Sequence, residues 1–229
     1  MPDDPTTPPP PPPPPARAGV GRIPSATPAR GVRAPVDVSS GSASPPDAAT
    51  RILHAAARLL AERGVARFNL QEVAEQAAVS KGLIHYHYHD KDTLLTRLVE
   101  ALAADVVRRR RQALAAATPA SAVEELWAWL DAELRRGHLR VLQELAQEPG
   151  ALVRSAVHAA ATARHAAAGE TTTQLFDLLG LRSRVPSALL AEVVVAFEDG
   201  LVLDAAVRTE QDPRVAFDVF WLAVLGMAE

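Results

Sequence analysis

Apolar residues recur at helical spacing along most of the chain after residue 46, and no βαβ pattern is present. The first apolar stripe comprises Ile52, Ala56, Leu59 and Leu60. Gly64 follows this stripe and is expected to end the helix. Upstream, Ser44 is a candidate N-cap, with proline at the first helical position and Asp47 at the third. This pattern predicts a first helix after the N-terminal tail and, with the segments that follow, an all-α fold.

The later part of the chain is predicted to be helical throughout. In chain order, the expected helices run from Lys91 to about 116, from Ser121 to Gly137, from 138 to 146, from 151 to about 179, from Ser187 to about 209, and from Asp212-Pro213 onward. Ser121 is the expected cap of its helix, with Glu124 at the third position, and Gly169 is a candidate break in the alanine-rich helix. The run from Arg108 to Arg111 suits a solvated helix C-terminus, where cations are favoured.

The segment from Asn69 to Lys91 predicts two short capped helices joined by a tight turn. Asn69 can cap the first helix, and Glu72 can complete a capping box. Ala78 lies in the turn, and Ser80 can cap the second helix. The second helix carries polar, aromatic and basic residues, and the chain's two lysines flank it. This arrangement is typical of a helix-turn-helix that presents a recognition helix to the DNA major groove.

Several residues of this segment are candidate DNA contacts. Lys81 and Gly82 lie in the first helical turn, where free N–H groups and the dipole favour a phosphate. Leu83, His85, Tyr86 and His87 can supply apolar, hydrogen-bonding and stacking contacts to bases and sugars. Lys91 opens the next helix, after the expected cap Asp90, and opposes that helix's dipole. A nearby phosphate would explain a lysine there.

The sequence His-Tyr-His-Tyr-His also allows a metal site. On a strand, His85, His87 and His89 would share one face, as in metal-binding HxH motifs. On a helix only His85 and His89 align. Because helix signals flank the segment on both sides, we expect no metal, no cofactor and no catalytic residue. A metal-dependent enzyme remains a remote alternative.

Composition limits the function further. The net charge is −3, so the chain is not a nonspecific polycation. It has no cysteine, no signal peptide and no apolar run long enough for a membrane span, and we expect a cytoplasmic protein without a membrane partner. Residues 1–46 include eight consecutive prolines and few large apolar residues, and they predict a disordered tail. Alternatively, the tail's arginines form an arm that reaches DNA.

The chain resembles the TetR (TetR/AcrR) family of regulators over residues 47–107. The resemblance rests on Arg51-Ile52-Leu53-His54-Ala55-Ala56-Ala57-Arg58-Leu59-Leu60, Gly64, Phe68, Val73-Ala74, Val79-Ser80-Lys81-Gly82-Leu83-Ile84, His85-Tyr86-His87-Tyr88 and Lys91-Asp92-Thr93-Leu94-Leu95. Ala78, His85 and Tyr88 stand where the family usually has glycine, tyrosine and phenylalanine. Ala78 implies either a turn without positive φ or mild strain, and Tyr88 adds a hydroxyl that needs a partner.

The resemblance implies a set of roles for this segment. It implies DNA contacts from Lys81, Gly82, Leu83, His85, Tyr86 and His87, a phosphate contact from Lys91, and a further contact from Gln71. It implies that the buried residues are Ile52, Ala56, Leu59, Leu60, Val73, Ala74, Val79, Ile84 and Leu94. It divides the chain into a tail (1–46), a three-helix DNA-binding domain (47–107) and a helical effector-binding and dimerisation domain (108–229).

The last two helices carry more apolar surface than one side of a monomer needs. We interpret them as a homodimer interface in which both helices pair with their mates as a four-helix bundle. The alternative is that this apolar surface fills the interior of a monomer. The residues expected in this interface are Phe197, Leu201, Phe217, Phe220, Trp221 and Val224. The resemblance implies the same dimer. A dimer would place two recognition helices about 34 Å apart, as a palindromic operator requires.

The resemblance also implies a ligand pocket between the DNA-binding domain and the dimer helices. Candidate lining residues are Trp127, Leu130, Leu142, Gln143, His158, Phe176 and Phe197, with His165 and Glu198 as further polar contacts. The chemical class of the effector is left open. We therefore expect a sequence-specific regulator that represses transcription until a small molecule releases it from a palindromic operator on double-stranded DNA. A helix-turn-helix regulator controlled by a protein partner is the main alternative.

Overall fold

A computed structural model describes residues 47–207 and 212–229 of the chain. In these ranges the backbone forms nine α-helices, a short 3-10 helix at Val65–Arg67 and an isolated β-bridge between Ser183 and Ala228. The α-helices are α1 (Ala48–Arg63), α2 (Leu70–Ala77), α3 (Lys81–Tyr88), α4 (Lys91–Ala113), α5 (Ala122–Arg136), α6 (His138–Leu145), α7 (Ala151–Leu179), α8 (Ser187–Val207) and α9 (Pro213–Gly226). The predicted all-α fold is confirmed.

Some of the predicted features cannot be compared with this structure. The tail 1–46 and the expected end of α8 near residue 209 lie outside the described residues.

Helix α7 is continuous through Gly169, so the break that the sequence allowed at this glycine is not formed. Within the described ranges, no helix is long and apolar enough to cross a membrane.

Polar side chains begin most of the helices that the sequence pattern predicted. Asn69, Ser80, Asp90 and Asp212 cap α2, α3, α4 and α9, accepting backbone N–H bonds at 2.7–3.1 Å. Helix α1 differs from the prediction. Its cap is Asp47, which accepts from the Thr50 N–H at 2.7 Å. Asp47 therefore stands before the helix rather than at its third position, and the predicted cap, Ser44, lies outside the described residues.

Two glutamates expected near caps instead bind distant arginines. Glu72 pairs with Arg63 of α1 and forms no capping box with Asn69. Glu124 accepts a hydrogen bond from Arg214 of α9 at 2.9 Å. Ser121 accepts from the Thr118 N–H at 3.1 Å and makes no side-chain cap to α5. In both cases an ion pair between helices replaces the expected local bond.

Two apolar clusters form the core. The first joins α1, α2, α3, most of α4, α6 and the start of α7, and the second joins the end of α4 to α5, α7, α8 and α9. Helix α4 contributes Leu94, Leu98 and Leu102 to the first cluster and Val106 to the second. The residues implied to be buried all belong to the first cluster, with Val79 half-buried at its edge. Helix α4 thus links the two parts of the molecule.

The basic run at the end of α4 is only partly solvated. Arg108 and Arg111 are exposed, but Arg110 is 4% exposed. Arg109 donates to Glu133, which is fully buried, at 2.5 and 2.9 Å. The prediction of a solvated helix end is therefore wrong for Arg109 and Arg110. Helix α4 packs against α5 and α7, so consecutive side chains on it face both inward and outward.

Candidate nucleic-acid interface

A left-handed residue closes the turn between α2 and α3. Ala78 has φ 53° and ψ 50°, and its N–H donates to Glu75 at 3.2 Å. The next N–H, that of Val79, donates to the carbonyl of Ala74 at 3.0 Å. Glycine usually occupies such a position because it has no Cβ to clash. Of the two alternatives for Ala78, the structure shows mild strain rather than an avoided positive φ.

The inner face of α3 is fixed by two buried side chains. Ile84 is 1% and Tyr88 5% exposed. The Tyr88 hydroxyl donates to the Ala49 carbonyl of α1 at 2.9 Å, which supplies the partner that this hydroxyl needs. Burial raises the pKa of Tyr88, so the phenol stays protonated and remains a donor. These contacts hold α3 against α1 and determine which of its residues face outward.

The outward face of α3 contains the predicted DNA contacts. Lys81, Gly82, His85 and Tyr86 are exposed, and Leu83 and His87 are half-buried. Tyr86 is 75% exposed and packs edge-on against His87, with ring centroids 5.2 Å apart. Gly82 leaves an open approach, since a Cβ there would meet only the Ser80 hydroxyl at 3.8 Å. The structure thus brings these six residues onto one helix, whose first-turn Leu83 N–H is already bonded to Ser80.

His85 has a defined hydrogen bond. Its Nδ1 lies 2.9 Å from the His89 carbonyl oxygen. Because a carbonyl can only accept, Nδ1 must carry the proton, and in the neutral ring Nε2 is then an acceptor. An outward-facing acceptor can bind an exocyclic amino group on a base edge. The hydrogen bond therefore gives His85 a chemical preference that the sequence did not reveal.

Gln71 and Lys91 lie at the starts of α2 and α4. Gln71 is exposed and donates to Glu75 at 3.0 Å. The Lys91 ammonium is 4.0 Å from Glu148 and 5.8 Å from the centre of the Phe68 ring. Its side chain remains 43% exposed. Glu148 accounts in part for a lysine at a helix N-terminus, and the exposed fraction leaves it able to reach a phosphate.

The three histidines of the alternative metal site do not lie on a strand. His85 and His87 belong to α3, and His89 ends that helix with φ 57°. Among the described residues, no group of three side chains has metal-ligand geometry. The arrangement expected of a strand-borne HxH motif is therefore not formed.

The predicted ligand-binding residues are not brought together around one cavity. Leu130, Leu142 and Phe176 are buried in the core, and His158 is exposed on α7. Trp127 packs on Phe217, with centroids 5.1 Å apart. Gln143 donates to the Asp199 carbonyl at 3.2 Å. The further polar candidates are also engaged: His165 lies 3.3 Å from Glu192, and Glu198 binds Arg110.

The predicted interface residues divide into two groups. Leu201, Phe217, Trp221 and Val224 are buried within the protomer. Phe197 and Phe220 are half-buried and stack with centroids 4.0 Å apart. The outward face of α8 and α9 is instead formed by residues that the sequence analysis missed. We call them the outer apolar face: Leu189, Val193, Leu203, Val207, Val215, Val219, Leu222 and Met227, all 44–81% exposed. Their signal in the sequence was the apolar character of both helices on every side.

Comparison with known proteins places the helix-turn-helix in a family. Residues 52–98 match the family model for bacterial regulatory proteins of the tetR family. Two relatives from Pseudomonas putida, the HTH-type transcriptional regulator TtgR and the probable HTH-type transcriptional regulator ArpR, are each 40% identical over 52 residues. These alignments cover 23% of this chain and 25% of each relative, so the match spans a quarter of their length.

Solved structures share the fold over a much larger part of the chain. Reduced NemR from E. coli has a TM-score of 0.66 at 17% identity, covering 80% of this chain and all of that one. FadR from Bacillus subtilis, solved with stearoyl-CoA, has a TM-score of 0.58 at 17% identity, covering 77% of this chain and 96% of that one. At these identities the likeness concerns the fold alone.

Proposed function

We propose that this chain, which belongs to the TetR family of bacterial regulatory proteins, is a regulator of transcription. In this proposal it is a dimer that binds a specific DNA sequence. The observation that carries the proposal is the outward face of α3. A helix anchored inward by Ile84 and Tyr88 presents Lys81, His85 and Tyr86 to solvent. These side chains can contact phosphates, base edges and sugars in a major groove.

A palindromic operator follows from a two-fold dimer. The outer apolar face of α8 and α9 has the character of a surface that a partner covers. A second copy of the chain supplies an identical face, as isologous dimers require. Pairing through this face would present two α3 helices to the same side of a DNA duplex. Half-sites about 34 Å apart would then be read together.

We further propose that the protein is a repressor released by a small molecule. Helix α4 supports this mechanism because it packs in both apolar clusters and begins directly after α3. A ligand that prefers one tilt of α4 would change the spacing of the two recognition helices. FadR from Bacillus subtilis, which has a similar fold, was solved in complex with stearoyl-CoA, an organic ligand.

The direct test is selection of the full-length protein against a random duplex pool at near-physiological salt, followed by sequencing. We expect enrichment of a palindrome with half-sites about one helical turn apart. Affinity for the enriched duplex should then be measured as a function of salt. Lys81→Ala should weaken binding and lower the salt slope by about 1, since one phosphate contact is lost.

Two further variants sharpen this test. Tyr86→Ala should reduce discrimination between the enriched and a scrambled duplex by about ten-fold, because a contact to the bases costs about 1–3 kcal/mol when lost. Arg182→Ala removes an exposed cation distant in sequence from α3 and should change neither quantity. Failure of a folded dimer to enrich any sequence would contradict the proposal and favour control through a protein partner.

A further inference from the structure

A cleft lies between α1 and α4, beside the first apolar cluster. Its volume is about 770 Å³, within the range of small-molecule sites. Its accessible apolar lining is formed by Leu53 and Ala57 of α1 and Ala101 of α4, which are half-buried, whereas Leu98 and Leu102 also border it but are buried. Leu53 is half-buried and packs against the first cluster. The middle of the cleft therefore offers an apolar surface to a ligand.

One end of the cleft has an acceptor that lacks a donor. Gln76 lines this end, and its Oε1 is buried without a hydrogen-bond partner among the described residues. The position of this end is fixed by Arg51, whose Nε donates to the neighbouring Ala77 carbonyl at 3.3 Å. Because a buried acceptor without a donor is costly, a ligand hydroxyl placed here would gain a hydrogen bond that the protein alone leaves unmade.

The other end carries positive charge. Arg58 lies at this rim, is exposed, and forms no ion pair within the described part of the chain. It is two helical turns beyond Arg51, which places the two ends about 10 Å apart. Asp105 is also at this end, but it is already paired with Arg108 at 2.6 Å and Arg109 at 3.8 Å. An additional anion would therefore be attracted to Arg58.

His138 completes the positive end with a preset donor. Its Nδ1 lies 3.2 Å from the Arg109 guanidinium, which can only donate, so Nδ1 is unprotonated and Nε2 carries the hydrogen. Arg109 is itself fixed by the fully buried Glu133. Burial lowers the pKa of His138, so the ring is neutral at physiological pH. The contact with Arg109 then determines which tautomer it adopts. The buried carboxylate thus orients, through Arg109, an imidazole that borders the cleft.

We propose that this cleft binds a medium-length organic acid that carries a hydroxyl at its far end. The carboxylate would accept from Arg58 and from the His138 Nε2–H, the chain would lie on Leu53, Ala57 and Ala101, and the hydroxyl would donate to Gln76. A ligand in this position separates α1 from α4, and so sets the angle at which the DNA-binding helices leave α4. That regulatory consequence rests on the proposed function, whereas the binding itself does not.

The probe for this site is ω-hydroxydecanoate, titrated calorimetrically into the full-length protein without DNA. We expect one site per protomer. Decanediol, which lacks the carboxylate, and decanoate, which lacks the hydroxyl, should each bind more weakly. Arg58→Ala should weaken the acid about ten-fold, as expected for a hydrogen bond to a charged group. Arg182→Ala, also an exposed arginine but outside the cleft, should have no effect.

A blocking variant tests the location independently of charge. Ala104 lines the cleft but is exposed, so Ala104→Trp should fill it without disturbing the core. Unchanged helical circular dichroism and unfolding midpoint would verify that the variant is folded. The expected result is loss of probe binding. Equal binding to Ala104→Trp and wild type, or no binding of ω-hydroxydecanoate to wild type, would overturn the inference.

A second readout separates this inference from the proposed function. If both hold, the probe lowers affinity for the selected duplex, and the duplex lowers affinity for the probe by the same factor. Probe binding in the cleft with no enriched duplex would leave the site in place and contradict DNA recognition. An enriched duplex without probe binding would support DNA recognition and overturn the proposed ligand site.

Discussion

At the scale of single residues, the buried pair of Arg110 and Glu198 ties α4 to α8. One Arg110 nitrogen contacts both Glu198 oxygens at 2.6 and 2.8 Å, and Nε donates to Thr171 of α7 at 2.8 Å. The guanidinium also lies 4.7 Å from the centre of the Trp129 ring. Both charges are 4% exposed, so each depends on the other in place of water.

Removing one member of this pair should be far more harmful than removing a similar pair at the surface. Glu198→Ala leaves Arg110 buried without its counterion and should lower the free energy of unfolding by about 3–5 kcal/mol. Glu170→Ala is the matched control, because the neighbouring Arg111 of α4 pairs with Glu170 of α7 and both side chains are 53% exposed. The control should lose less than about 1 kcal/mol. Urea unfolding measures the free energy of unfolding of both variants. Equal losses would contradict the conclusion that Glu198 is needed as the counterion of buried Arg110.

Ala78 is a second residue whose substitution has a predictable sign. A left-handed backbone costs a residue with a Cβ about 1–2 kcal/mol, and glycine avoids this cost. Part of the gain is lost because an unfolded chain with glycine has more conformational freedom. Since Ala78 is exposed, Ala78→Gly loses little burial and should raise the free energy of unfolding by about 0.5–1 kcal/mol. Ala104→Gly, in the regular part of α4, should instead lower it by about 1 kcal/mol. A decrease in both variants, seen by thermal unfolding, would show that Ala78 is unstrained.

At the scale of elements, two caps of the helix-turn-helix should respond differently to pH. The pKa of Asp90 is lowered, first by the backbone hydrogen bond from Thr93. A carboxyl with a lowered folded pKa stabilises the protein at neutral pH, and this contribution is lost as pH falls through the folded pKa. Asp90→Asn retains an acceptor oxygen and should flatten the acid side of the stability curve between about pH 5 and pH 2.

Ser80 provides the uncharged comparison. Its hydroxyl accepts from the Leu83 N–H at 3.1 Å and does not titrate in this range. Ser80→Ala should therefore lower stability by about 1 kcal/mol at every pH, shifting the curve without changing its slope. Urea unfolding across the acid range distinguishes the two effects. An acid slope that Asp90→Asn leaves unaltered would contradict the role given to the Asp90 carboxylate.

Most of the helix bounds could be predicted from the sequence because they depend on neighbouring residues. Asn69, Ser80, Asp90 and Gly64 each act within one turn of their own position. Partners across helices could not be predicted in this way. Glu124 binds Arg214, ninety positions away, and Arg110 binds Glu198, eighty-eight positions away. Periodicity gives the apolar stripe of each helix but does not say which helix faces it.

The candidate DNA-binding residues followed from the sequence more readily than the predicted interface and ligand residues. Six of the former lie on one short helix, on which Ile84 and Tyr88, four residues apart, share the inner face and Tyr86 lies outside. Helices α8 and α9 are apolar on every side, and their sequence cannot distinguish the side that packs within the protomer. Leu201 and Trp221 therefore have the same signal in the sequence as residues of the outer apolar face.

At the scale of the whole molecule, the outer apolar face makes a prediction about assembly. Leu222 of α9 belongs to this face and is 75% exposed, and in a two-fold dimer a change there occurs twice. Leu222→Glu should raise the dimer dissociation constant at least about a hundred-fold, because two buried apolar contacts are replaced by two desolvated charges. Sedimentation velocity would show the variant as a monomer.

Leu152→Glu is the matched control for assembly. Leu152 is also an exposed leucine, at 60%, but it lies at the start of α7 and outside the outer apolar face. This variant should sediment as wild type does. A dimer that persists in Leu222→Glu and dissociates in Leu152→Glu would place the interface elsewhere.

Because α4 is one continuous helix, a tilt at its buried ion pair displaces the end of α4 that adjoins the DNA-binding helices. About 28 Å of rigid helix separate Arg110 from Lys91. A tilt of only about 5° at Arg110 would therefore move Lys91 by about 2.5 Å, close to the rise of one base pair, about 3.4 Å. Such a rotation leaves the size of the protein nearly unchanged. Distances between labels at the two α3 helices of a dimer should thus report on regulation far more sensitively than the radius of gyration.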